Sequence, residues 1–459
     1  MVHKGDFCWL VQGGVVSLLR VQLLTISLSG EHPMRRFGAD ELNRRGFLGS
    51  LAFLAGSVFG RQRVFAATSA SPCEQAPWKG KITGLGATGD VYQELGLTTV
   101  INGQGTETVL GGSLIRPEVR AVMDLAAEHF VVLMDLEAAA GKRISEMLKL
   151  PQGYGAIVTS GAASAIQNGY SGILTGSSET FIRQIPDLTG MKSEVIIQRA
   201  HRSGWDHQIR ATGAKIVEVE TVEDVHKAMS ERTAAMHFLN LSDPDGQIKR
   251  ADWVKLAHAA NVPAFLDAAA DVPPKSRLSD YANMGFDLIA FSGGKAIRGP
   301  QCTGLLIGRQ ERVHDALLNM SPNEDTLGRP TKVGKEEIVG VVKALELYLA
   351  EDQETLNKDQ WRQLDTVSTK VSKIPGVTVT REVPEIANHF PALQIHLDPA
   401  RFSAKPHDIT EQLAAMKPSI VLTEGTSTIE MTAIDLQPGE DRMIADALAS
   451  VLMAHAVSR

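Results

Sequence analysis

In "LIAFSGGKAIRGPQCTGLLIG", residues 288–308, a single lysine, Lys295, stands on a glycine-rich turn between two apolar runs. Taken alone, a lysine on such a turn is ordinary. Two other segments give it chemical meaning. "AFLDAAAD" closes an apolar run with Asp267, and a carboxylate there calls for a buried cation beside it. "TSGAASAI" places Thr159, Ser160, Gly161 and Ala162 at a strand-to-helix turn. Backbone N–H groups at such a turn face an anion, and no large side chain blocks its approach. An amine for a Schiff base, a carboxylate to keep a pyridine nitrogen protonated and an anion cradle together match the needs of pyridoxal 5'-phosphate.

These residues need a scaffold that brings strand ends together. "TTVING", "YGAIVT", "EVIIQ", "AKIVEVE", "AAMHFLN", "VPAFLDA", "DLIAFSG" and "TGLLIG" read as short apolar strands with helical segments between several of them. That alternation predicts an α/β domain with a mostly parallel sheet, whose ligands bind at the strand ends. Residues 116–150 read as one helix with Pro117 near its start, and residues 334–356 as a long amphipathic connector. Beyond it, "GVTVT", "ALQIHL" and "IEMTAI" mix with helices, the last from Asp441 onward, and predict a smaller α+β domain. The expected organisation is a large cofactor domain over 98–333 and a connector with a small C-terminal domain over 334–459. Residues 68–97 are a linker and N-terminal segment. Their "GLGATG", residues 84–89, matches a dinucleotide fingerprint, but no buried strand feeds it and no long helix follows.

The composition is that of an ordinary globular chain, and a net charge of −7 gives no nucleic-acid footprint. The spacing of Cys8, Cys73 and Cys302 fits no zinc motif, and no metal site is expected. Residues 1–67 read as a twin-arginine export region: Arg44-Arg45 precede Phe47-Leu48, an apolar stretch to Phe59 and small residues at Ala66 and Ala67. The stretch is too short for a stable membrane anchor. Met34 stands closer to the arginines, which makes residues 1–33 an over-extended start. The expectation is recognition by the twin-arginine translocation machinery and a periplasmic or otherwise exported protein, with a cytoplasmic one as the alternative.

In "INGQGTETVLGG", "VTSGAASAI", "QRAHRSGWDHQIRATGAKIVEV", "FLDAAAD", "FSGGKAIRGPQCTGLLIG" and "RPTKVGKEEIVGVVKALELYL" the chain resembles the selenocysteine synthase-like family of fold type I pyridoxal phosphate enzymes. That family includes L-seryl-tRNA(Sec) selenium transferases and D-glucosaminate-6-phosphate ammonia-lyases. The resemblance implies a fold type I aminotransferase-like large domain and a homodimer or higher homo-oligomer. It implies Lys295 as the Schiff-base lysine and Asp267 as the pyridine partner, with Ser160, Gly161, Ala162 and Ser292 around the phosphate. The selenium transferases carry asparagines at the "TSGAAS" turn, so the resemblance leans toward the ammonia-lyase branch. His201 is a candidate to stack on the ring or carry a proton. Arg202, Arg298 and Arg329 are candidates for an anionic group of a small-molecule substrate. The C-terminal segment 417–434 offers Lys417 and no arginine for that purpose. The expected reaction is α-proton abstraction by Lys295 from an amino acid or amino sugar acid, followed by elimination. Selenium transferase-like, aminotransferase or aldolase-type transfer, and an inactive exported binding protein that keeps the fold, are the alternatives.

Overall fold

The computed structural model describes residues 82–457; the expected export signal lies outside them. The strands, in chain order, are β1 (Val100–Asn102), β2 (Tyr154–Thr159), β3 (Glu194–Gln198), β4 (Lys215–Val219), β5 (Thr233–Leu239), β6 (Ala264–Asp267), β7 (Leu288–Ser292), β8 (Gly304–Arg309), β9 (Val377–Glu382), β10 (Ala392–Leu397), β11 (Ser419–Val421), β12 (Thr423–Glu424) and β13 (Thr428–Thr432). β2 to β8 form one seven-stranded sheet in the order β2-β8-β7-β6-β5-β3-β4. β7, β6, β5, β3 and β4 pair in parallel, while β8 runs antiparallel to both β7 and β2. The reversal has a local cause. Helices separate β5 from β6 and β6 from β7, but only the Lys295 turn separates β7 from β8. A parallel pair needs a long crossover; a short connection returns antiparallel.

The central strands are apolar on both faces because helices cover both. β5 and β6 are buried along their whole length. The Gly161–Thr175 helix packs so closely on the sheet that a Cβ on Gly169 would meet Phe265 Cε1 at 2.5 Å. Phe265 in turn stacks on Tyr170 at 4.9 Å between ring centroids.

β9, β10, β12 and β13 form a four-stranded antiparallel sheet, with helices Gln353–Val371 and Glu440–His455 contributing to its core. β1 pairs in parallel with β11, and its Ile101 is buried in this second core rather than with the strands that follow it in sequence.

Two expected helices are broken. Residues 116–150 give Pro117–Ala127 and Leu133–Leu148; 128–132 between them are out of helix, and Val132, at the N-cap of the second helix, is extended at φ −73°, ψ 114°. The connector stops at Ala350, and a new helix starts at Gln353. Asp352 imposes the restart: its carboxylate accepts from Glu354 N–H at 3.1 Å and Thr355 O–H at 2.6 Å, an N-cap that competes with continuation. In the 84–89 loop, the Glu94 carboxylate accepts from the N–H groups of Gly86 at 2.5 Å and Thr88 at 2.7 Å. The loop closes on its own acid, and the helix that follows has four residues.

Candidate active site

β6 and β7 are neighbouring parallel strands, with Asp267 opposite Ala290, so the ends that carry Asp267 and Ser292 lie on one edge of the sheet. Lys295 follows three residues later, half-buried. The turn is glycine-rich because it folds back on its own exit: a Cβ on Gly293 would meet Thr303 Oγ1 at 2.4 Å, and one on Gly294 would meet Gln301 Cα at 2.7 Å. Gly299 N–H donates to Gly293 O at 2.9 Å and Arg298 N–H to Lys295 O at 2.8 Å, which fixes the backbone from which the lysine projects.

Asp267 is 4% exposed. Burial pushes its carboxyl up to about 6, against the opposing pull of the Ala269 N–H and the Lys295 charge. Ala269 N–H donates to its Oδ1 at 3.1 Å. A carboxylate in this setting is stabilised by a cationic N–H brought to it.

The third component lies across β8. Gly304 pairs with Ser292 on one side and Thr159 on the other. It sits so near the start of the Gly161–Thr175 helix that an added Cβ would be 2.4 Å from Gly161 C and 2.7 Å from Ala162 N. Ser160 occupies the N-cap position, yet its side chain makes no capping bond, and no acidic residue stands in the first turn. Gly161 has φ +83°, a conformation glycine takes without steric cost. This helix start therefore keeps its N–H groups for an external anion. An uncapped helix N-terminus, a buried carboxyl raised by desolvation and a lysine on the adjoining strand end fit pyridoxal phosphate.

Two expected residues take other roles. His201 is fully buried: Leu239 N–H donates to its Nδ1 at 3.2 Å, Gln198 Nε2 lies 3.2 Å from its Nε2, and Phe238 meets it edge-on at 4.3 Å. Burial, aided by the Lys249 charge, pulls its pKa down to about 4. Enclosed and neutral, the imidazole is a core group with no face left for a cofactor ring. Arg202 is paired with Asp206 and Glu218, so its guanidinium is committed to carboxylates of the chain itself. Arg329 lines a surface cleft with Arg183 and Asp325, well apart in the chain from the Lys295 turn. Arg298 lies at the turn itself, its Nε donating to Leu114 O at 3.1 Å.

Beside Asp267 runs a polar chain, buried beyond its half-buried first member Arg250, that no sequence motif announces. Arg250 Nη1 donates to Asn240 Oδ1 at 2.8 Å, Asn240 Nδ2 to Tyr281 Oη at 3.1 Å, and Tyr281 O–H to Asp271 Oδ2 at 2.9 Å. Every bond runs the same way, from guanidinium to carboxyl. Burial pushes Asp271 up to about 7, with Asp267 adding to the effect. The available signal was the second acid of "DAAAD", four residues after the first.

Comparison with known proteins agrees with this geometry. The aminotransferase class-V family model matches residues 132–325. A D-glucosaminate-6-phosphate ammonia lyase of Salmonella typhimurium is 29% identical over 337 residues, 71% of this chain and 87% of the relative. A 5'-C-glycyluridine monooxygenase-decarboxylase of a Streptomyces species is 25% identical over 380 residues, 79% of this chain and 92% of the relative. An L-seryl-tRNA(Sec) selenium transferase of Alkaliphilus oremlandii is 24% identical over 57% of this chain, which spans 58% of that relative. Among solved structures, a D-glucosaminate-6-phosphate ammonia-lyase superposes with a TM-score of 0.69 at 25% identity, covering 80% of this chain and 99% of the other.

Proposed function

Because the chain is a pyridoxal phosphate-dependent enzyme of fold type I, we propose that it is a lyase that releases ammonia from a small amino acid or amino sugar acid with a leaving group on the β carbon. The observation that carries this reading is the juxtaposition of Asp267 and the Lys295 turn on adjacent parallel strand ends, with the uncapped helix start at Ser160–Ala162 across β8.

When bound, the cofactor supplies an electron sink for charge developed at the substrate α carbon. Ser160, Gly161 and Ala162 would hold its phosphate through backbone N–H groups, with Ser292 alongside. Asp267 would accept the ring N–H and keep that proton in place. Lys295 Nζ takes the α-proton as a free amine. As the β C–O bond breaks with its electron pair, the Lys295 ammonium would give the proton it took to the hydroxyl, which leaves as water; the released enamine would take a proton from solvent at the β carbon and add water at the α carbon, giving ammonia and a 2-keto acid. Among the candidate arginines, Arg298 is the one placed beside the lysine turn and is assigned to the substrate's acidic group. Arg329, in a surface cleft apart from the Lys295 turn, would reach an anionic substrate group only at a site completed by a second copy of the chain. Exposed apolar side chains at Val109, Leu125, Phe130 and Val132 support a homodimer. Mass measurement by light scattering tests it, and a monomer at micromolar concentration refutes it.

The activity test is direct. Cofactor-loaded enzyme is offered D-glucosaminate-6-phosphate, other 2-amino-3-hydroxy sugar acids and serine, and ammonia and 2-keto acid are measured together. Equimolar release supports the lyase. Amino transfer to an added keto acid without free ammonia overturns it.

The export reading belongs here as well. Arg44-Arg45, Phe47-Leu48 and the short apolar stretch support passage through the twin-arginine route and a periplasmic product. Replacing both arginines with lysine should leave the protein inside the cell with its signal uncleaved. Wild-type protein recovered from the cytoplasm with residues upstream of Arg44 intact refutes export. Among the described residues, no helix is long and apolar enough to cross a membrane.

A further inference from the structure

Buried polar groups without partners are rare in folded proteins, and a cluster of them calls for an explanation. Among the described residues eight buried side-chain nitrogen or oxygen atoms lack a hydrogen-bond partner. Three of the eight, Tyr348 Oη, Gln353 Oε1 and Gln360 Oε1, line one cavity of about 60 Å³. Its other polar walls are Arg116, Arg298 and Glu351. The groups come from four places: the Lys295 turn, the Lys335–Ala350 helix with Glu351 at its end, the first turns of the Gln353–Val371 helix, and Arg116 at the N-cap of the Pro117–Ala127 helix.

The two guanidiniums differ in how far they are already satisfied. Arg116 donates from Nη1 to Ile297 O at 2.9 Å and from Nη2 to Glu351, so its charge is compensated locally. Among the described residues the Arg298 side chain makes one hydrogen bond, from Nε to Leu114 O, and no carboxylate comes within ion-pair distance of it. Asp435 and Glu351 act on it only at longer range. Arg298 is also held at φ +60°, a left-handed conformation that disfavours a long side chain. Strain of this kind persists where the surroundings hold a residue in place, and it clusters at functional sites. Tyr348 is 2% exposed, and burial pushes its phenol pKa up, so its hydroxyl remains a neutral donor. The cavity thus presents an under-compensated guanidinium fork, an unpartnered phenol O–H and the amides of Gln353 and Gln360; Gln353 Nε2 donates to Asn357 Oδ1 at 3.0 Å, so it turns into the cavity only together with the Asn357 amide, whose Nδ2 then donates to the Gln353 oxygen.

We propose that this cavity is a binding site for one small oxyanion group, a carboxylate or phosphate, held by the Arg298 guanidinium and the Tyr348 hydroxyl, with the Gln353 and Gln360 amides turned to donate. Its volume suits one such group or a few water molecules. The group comes either from the acid end of the substrate or from a free inorganic anion. The first source rests on the lyase reading above; binding of the anion does not.

The test uses the cofactor-loaded enzyme and two probes, inorganic phosphate and acetate, titrated by calorimetry. The expected result is saturable binding of at least one probe at one site per chain. Arg298→Gln should weaken it at least tenfold and Tyr348→Phe severalfold, since each removes a donor to a charged acceptor. Tyr348→Phe deletes one oxygen from a buried ring, so it still tests the site if Arg298→Gln does not fold. No saturable binding of either probe to wild type means that the cavity holds only water and overturns the proposal. Binding that neither variant weakens overturns it too. Where ammonia release is measurable, competition that raises KM and spares kcat identifies the substrate's own acid group as the occupant. Saturable binding without competition identifies a free anion. Because the titration needs no turnover, its failure is distinct from failure of the lyase reading.

Discussion

Gly304→Ala tests whether the turn at Ser160–Ala162 holds the cofactor phosphate. Gly304 lies between Thr159 and Ser292 on β8, and an added methyl would stand 2.4 Å from Gly161 C and 2.7 Å from Ala162 N and Gly161 O. All three are backbone atoms, so no side-chain rotation relieves the clash. Overpacking of one carbon costs about 1–3 kcal/mol. If the helix start moves to relieve it, the cofactor loses that amount of binding, roughly five- to hundredfold in affinity. Gly308→Ala is the matched control: it is equally crowded, with Asp287 O at 2.2 Å from the new methyl, but it lies at the far end of the same strand. Stripped protein is titrated with pyridoxal phosphate while its visible absorbance is followed, and both variants are melted without cofactor. Both should lose thermal stability, and only Gly304→Ala should lose affinity. A Gly304→Ala affinity within twofold of wild type, or an equal loss in Gly308→Ala, refutes the assignment of the phosphate to this turn.

Three further outcomes are expected. Lys295→Ala should abolish both turnover and borohydride-stable attachment of the cofactor; a labelled peptide from any other lysine moves the site. Asp267→Asn should still bind cofactor but lose about a thousandfold in kcat, since an amide cannot hold the ring nitrogen protonated, and near-normal turnover would reduce Asp267 to a structural role. Glu137, 1% exposed, has its carboxyl pushed up to about 7 by burial, partly offset by the Val158 N–H at 3.1 Å. Its folded pKa stands above the unfolded value, so its contribution is fully present below about 4.5 and is lost as pH rises through 7, about 3 kcal/mol in all. Glu137→Gln should flatten urea-measured stability between pH 5 and 8, and an unchanged slope contradicts this account.

The parts of the site that were legible in the sequence share a physical reason. A strand buried on both faces shows itself as an apolar run, and an acid or lysine at its end stands out because burial selects against it elsewhere. That is why Asp267, Lys295 and the Ser160–Ala162 turn stand out in the sequence, together with the strands that carry them. The break at 128–132 was illegible because the apolar pattern continues across Phe130, Val131 and Val132, although the first helix ends at Ala127 and the second starts only at Leu133. His201 and Arg202 were misassigned because sequence shows that a segment follows a strand end, but not what encloses it. Asp206, four residues after Arg202, was in fact at ion-pair spacing, the one local hint that the arginine was already taken.

The oxyanion cavity marks a different limit. Arg298, Tyr348 and the Gln353/Gln360 pair share no motif, and they meet because the Lys335–Ala350 helix ends beside the Lys295 turn and a second helix begins at once; Arg116 joins them from the start of the Pro117–Ala127 helix. The cause of that restart, Asp352, reads in sequence as one more acid in a charged stretch. Its capping bonds turn the chain so that Gln353 and Gln360, seven residues apart on one helix face, look into the space beneath Arg298. Removing the cap is therefore a test of the geometry rather than of any contact with an anion. Asp352→Ala should cost about 1 kcal/mol of stability and weaken phosphate or acetate binding without altering cofactor absorbance. Anion affinity that survives the loss of this cap would show that the helix start does not set the cavity, leaving Arg298 and Tyr348 to hold the group alone.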